Sequence, residues 1–61
     1  MGEYFYEYKK FGDEEYKLRK ETTSYAVVDQ IVHKLKKDGY YIRVLQSNKN
    51  KFIYGIYSRK K

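Results

Sequence analysis

The chain has 61 residues, 36% of them charged and 20% aromatic, with nine tyrosines, no cysteine, proline or tryptophan, and a net charge of +6. A chain of this length holds one domain, in which folding buries only about 60% of the surface the unfolded chain exposes. Without cysteine, neither a disulfide framework nor a thiolate metal site can reinforce so thin a core.

The N-terminus lacks the basic-then-apolar pattern of a signal peptide, and no apolar run approaches the roughly 20 residues of a membrane span. A soluble, cytoplasmic protein with no membrane partner is therefore expected. Lysine and glutamate in quantity, few amides and no cysteine make a composition met in heat-adapted proteins.

In chain order, "EYFYEYKKF" and "EEYKLRKET" flank Gly12 and Asp13 and predict a hairpin. Side chains alternate between the faces of a strand, so loop length decides which face each residue joins. A two-residue loop groups Tyr4, Tyr6 and Tyr8 with Lys17 and Arg19, and Phe5 and Phe11 with Tyr16 and Leu18. A three-residue loop or bulge instead groups the tyrosines with Tyr16 and Leu18 and sets Glu7 against Arg19. The second version segregates apolar from charged residues better and is the one expected, with the tyrosines packed under the helix.

A helix follows. "TTS" supplies N-cap hydroxyls at Ser24, and in "YAVVDQIVHKLKKDG" Val28, Ile31, Val32 and Leu35 form one apolar stripe with Tyr25 at its flank. Lys36 and Lys37 suit the negative end of the helix dipole, Gly39 suits the left-handed closing position, and Tyr40 then folds back toward Leu35.

The stretches "YYIRVLQ" and "KFIYGIYSR" read as a second hairpin around "SNKN". A loop of two residues (Asn48 and Lys49) or of four (Ser47 to Asn50) gives the same pairing. Tyr40, Ile42, Val44, Ile53, Gly55, Tyr57 and Arg59 then share one face, and Tyr41, Arg43, Leu45, Phe52, Tyr54, Ile56 and Ser58 the other. Neither face is polar, while one short helix covers only one of them. Gly55 inside a strand marks a bulge or the close approach of other backbone. The fold class expected is α+β: a small two-layer domain in ββαββ order, its antiparallel sheet carrying one helix on one face. Residues 1–61 form a single domain, with 59–61 a basic tail that is free to be disordered.

The helix, Gly39 and the following hairpin resemble the core of small HicA-type RNA-cleaving toxins. Where that family carries a Gly-Ser-His segment on the strand after the helix, this chain has "SNKNKF", so the resemblance implies no catalytic activity here.

Catalytic chemistry is not expected from the residues either. His33 stands on the polar side of the helix, Ser24, Ser47 and Ser58 have no evident base beside them, and no metal site, cofactor or small-molecule substrate is indicated.

Charge is uneven along the chain. Residues 1–30 hold five Lys/Arg against seven Asp/Glu, net −2, and residues 31–61 hold nine against one, net +8. The expected function is therefore that of a small, basic, non-enzymatic nucleic-acid-binding protein that contacts phosphates and bases with an aromatic and basic sheet face and its basic second half. The candidate residues are Tyr41, Arg43, Phe52 and Tyr54 on the uncovered face, Lys49 and Lys51 in the loop, and Arg59, Lys60 and Lys61 on the tail. No recognition motif separates DNA from RNA, and DNA is slightly favoured. The alternative is a protein-interaction module, a homodimer or an inhibitor or accessory factor of a mobile element, that docks through the uncovered apolar face.

Overall fold

A computed structural model describes residues 4–47, 49 and 52–61. The elements run β1 (Tyr8–Phe11), β2 (Glu14–Thr22), α1 (Tyr25–Lys37), β3 (Tyr40–Gln46) and β4 (Tyr54–Lys60). The strands form one antiparallel sheet in the order β1-β2-β4-β3, with α1 packed on one face. Arg59 and Lys60 belong to β4 and are paired with β3 through Tyr41 and Tyr40, so they close the sheet rather than trail from it. Among the described residues, no helix is long and apolar enough to cross a membrane.

The helix forms where its caps and stripe require. The Ser24 hydroxyl accepts from the Val27 amide, and Gly39 adopts φ +86° two residues beyond the last helical residue. Val28 and Leu35 bury against Ile56, joined by Ile31, Val32, Tyr40, Ile42 and Tyr54. Burying such aliphatic side chains stabilises the fold by about 1.5–3 kcal/mol each.

Both hairpin registers differ from those expected. In the first, Tyr8 pairs with Lys17 and Phe11 with Glu14, which leaves Gly12 and Asp13 as a two-residue turn. Gly12 has φ +66° and Asp13 does not enter that region, the pattern of a type II′ turn that needs glycine at its first central position. Turn geometry thus prevails over apolar segregation. Tyr6 and Tyr8 face outward at 82% and 50% exposure, while Phe11 packs edge-on against Tyr16.

In the second hairpin the ladder runs from Tyr40↔Lys60 to Gln46↔Tyr54, and the Ser47 amide donates to the Ile53 carbonyl. That register sets five residues between Ser47 and Ile53, an odd number, and so moves β4 by one residue relative to the expected pairing. Tyr54, Ile56 and Ser58 lie with Tyr40, Ile42 and Val44 on the helix side, and Gly55, Tyr57 and Arg59 lie with Tyr41, Arg43 and Leu45 on the other.

The second face is not bare. The first strand is shorter than expected: after the Glu7 carbonyl accepts from the Leu18 amide, residues 4–7 leave the ladder and cross that face. The Tyr57 hydroxyl donates to the Tyr6 carbonyl at 2.6 Å, the Tyr4 amide donates to a Glu21 carboxylate oxygen, and the Phe5 ring stands edge-on to Tyr57. With Phe11, Tyr16 and Tyr57 these residues make a second, aromatic core in which Tyr57 is wholly buried.

Gly55 shows why the strap fits. A Cβ on it would stand 2.8 Å from the Phe5 ring, closer than side-chain atoms approach. The expected close approach is that of an aromatic ring rather than backbone, and the β-bulge lies in β2, between Leu18 and Lys20. Gly55→Ala is expected to lower stability by about 1–3 kcal/mol through overpacking. In a Phe5→Ala background the same substitution should have less than half that effect. Urea unfolding of the four proteins in this double-mutant cycle measures the coupling, and additive effects would show that the ring does not sit on Gly55.

Candidate functional site

The residues expected to bind nucleic acid fall into separate places. Tyr41, Arg43, Arg59 and Lys61 gather on the aromatic face. Tyr54 lies on the helix side, edge-on beneath Tyr25, and Lys60 shares that side through its pairing with Tyr40. Phe52 is 76% exposed in the β3–β4 loop with Lys49, whose amide donates to the Ser47 hydroxyl. Lys51 lies outside the described residues. The grouping of Tyr54 and Phe52 with Tyr41 and Arg43 on one sheet face is therefore corrected: the five-residue loop rotates β4 by one position.

On the aromatic face the cations already have rings to cover. The Arg59 guanidinium lies 4.5 Å from the Tyr41 centroid and 5.8 Å from that of Tyr16, and its Nε stands 3.7 Å from a Glu14 carboxylate oxygen. Lys61 covers Tyr41 at 5.1 Å, and Arg43 covers Phe11 at 5.5 Å. Such contacts are worth about 0.5–1 kcal/mol each at exposed sites. Together these side chains roof the aromatic core on the side away from the N-terminal strap. The sheet face expected to dock a protein partner is thus occupied by residues 4–7 and by these cations.

A different surface emerges beside the helix. Helix α1 lies over β3 and β4, touches β2 and does not reach β1. The register places Tyr8 and Lys10 of β1 and Lys17 of β2 on the helix side, in line with the buried Ser58 of β4. The bulge sets both Arg19 and Lys20 near Ile56, and two successive side chains then point the same way. Arg19 reaches over the Tyr40 ring at 5.3 Å.

With Lys60, this half-sheet bears five cations against one carboxylate, Glu15, and all of them are exposed. Among the described residues, none of Lys10, Lys17, Lys20 or Lys60 forms an ion pair. Glu14 and Glu21, by contrast, belong to the aromatic face.

Charge counting along the chain missed this strip, because residues 1–30 are net acidic. The signal lay in alternation: once the two-residue turn is accepted, Lys10, Lys17 and Arg19 fall on one face and Glu14 on the other.

Comparison with protein-family models, with curated proteins and with solved structures finds no match. The chemistry of the surface is what remains to identify a ligand.

One buried group reports on the aromatic core. Burial pushes the Tyr57 phenol up from its ordinary value, and the negative charge of Glu21 adds to the effect. The folded state therefore holds this proton more tightly than the unfolded chain does. Stability from this source is fully present below the unfolded value of about 10 and is lost as pH rises through it toward the folded value. An ultraviolet absorbance titration should show a late tyrosine ionisation, above the ordinary phenol value, together with loss of the fold. Tyr57→Phe should remove that late step, and a single unresolved ionisation in the unsubstituted protein would place Tyr57 in water.

Proposed function

We propose that this is a small, basic, non-enzymatic nucleic-acid-binding protein whose contact surface is the helix-side half of β1 and β2, with Lys60 at its edge. The observation that carries this reading is the strip of exposed cations without ion-pair partners among the described residues, Lys10, Lys17, Lys20 and Lys60, set where the helix leaves the sheet uncovered. Exposed lysines held at strand spacing offer a row of phosphate contacts, and the counterions displaced from the nucleic acid supply the driving force. Such contacts hold a polyanion in position without reading its sequence. Arg43, Arg59 and Lys61 stand on the far face and serve the aromatic core.

Binding of this kind is steeply salt-dependent. Anisotropy titrations of labelled single-stranded DNA, duplex DNA and RNA at two salt concentrations should show log affinity falling against log salt by about 0.7–0.9 for each phosphate contacted. Lys17→Glu should weaken binding and reduce that slope by about one contact. Arg43→Glu, the same change of charge on the opposite face, should leave the slope unchanged and lower stability by about 0.5–1 kcal/mol through its lost ring contact. Absence of binding to all three probes at low salt would refute the reading, as would equal effects of the two substitutions.

A further inference from the structure

We infer that the strip takes single-stranded nucleic acid, with a base stacked on Tyr8 while Lys10, Lys17 and Lys20 hold the flanking phosphates; this rests on the nucleic-acid reading above.

Tyr8 is one of three tyrosines, with Tyr4 and Tyr6, whose rings have neither a cation nor an aromatic partner among the described residues, and of the three it is the one held in a strand. Tyr16, Tyr40, Tyr41 and Phe11 each have a cation over the ring, and Phe5, Tyr25, Tyr54 and Tyr57 each have an aromatic neighbour. Tyr8 is half exposed and, among the described residues, has neither kind of partner. Its position is also particular. It pairs directly with Lys17 and stands two residues from Lys10 on the same face. An unoccupied ring between unpaired cations is the arrangement that grips single strands, because every base has a face to stack and a phosphate on either side.

The shape of the surface selects against a duplex. The floor is about two strands wide, with strands roughly 4.8 Å apart, and α1 rises beside it as a ridge about 10–12 Å across. A stiff double helix laid over this step would rest on the ridge and leave the floor untouched, and its stacked bases would offer Tyr8 no free face. A single strand bends into the step and presents both groups the floor can use. The negative charge of such a strand complements the floor, where Glu15 is the single carboxylate among five cations.

The test separates rings from charges. Fluorescein-labelled oligothymidylate of about 12 nucleotides, within the span of known single-strand sites, is compared with an abasic strand of the same length and with a duplex, all at low salt. Tyr8→Ala should weaken oligothymidylate binding about tenfold and leave the abasic strand within twofold. Tyr8→Phe should keep the affinity, and Tyr8→Leu, which retains apolar bulk without a ring, should lose it as alanine does. Lys17→Glu should weaken both single strands.

The stacking inference is overturned if Tyr8→Ala leaves oligothymidylate binding unchanged or weakens the abasic strand equally, and also if the duplex binds more tightly than the single strand. In those cases the basic strip still binds a polyanion. If none of the probes binds, the nucleic-acid reading and this inference fall together.

Discussion

A four-stranded sheet with apolar side chains on both faces needs two covers, and this chain has one helix. The contact that resolves the shortage is the Phe5 ring lying where Gly55 has no side chain. Because that position on β4 is bare backbone, the segment before β1 can turn off the ladder, cross the sheet and close the aromatic core over Tyr57. The hydrogen bonds at Glu7, Tyr6 and Tyr4 fix the path of the crossing, and they satisfy backbone groups that leaving the ladder would otherwise strand. The short β1, the outward turn of Tyr6 and the burial of Tyr57 all follow from it.

The same arrangement divides the cations into two populations. Arg43, Arg59 and Lys61 lie over aromatic rings of the second core, where the charged group remains near water while its stem covers apolar surface. Lys10, Lys17 and Lys20 lie on the helix side, on the two strands that α1 leaves largely uncovered, and among the described residues they have no ring or carboxylate of their own. An arginine over a ring and a lysine in solution count equally toward a net charge of +6. They differ in what they have left to offer a ligand, and this is why the strip, rather than the more basic second half of the chain, carries the proposed contact surface.

Some of this was legible in the residues. The helix from its Ser24 cap to Gly39, the apolar stripe of Val28, Ile31, Val32 and Leu35, the two hairpins and the ββαββ order are local properties, set by neighbours within a few positions, and the structure has them as expected. The candidate site was legible only in part. Lys60 is common to the expected set and the strip, whereas Lys10, Lys17, Arg19 and Lys20 were hidden in a segment whose acidic residues outnumber them.

The sequence by itself determined which elements form and where the helix starts and stops, because capping, helical periodicity and strand composition act over a few residues. Only the tertiary structure decided which face each strand shows. That choice turns on a single residue in each hairpin, a two-residue turn at Gly12 and a five-residue loop after Ser47. Side chains alternate with a period of two, so one residue more or less in a loop inverts an entire strand. The Gly12 turn sets the first register locally, whereas the face that β4 shows is favoured by contacts distant in the chain, chiefly Phe5 with Gly55 and Tyr57, and no local pattern contains them.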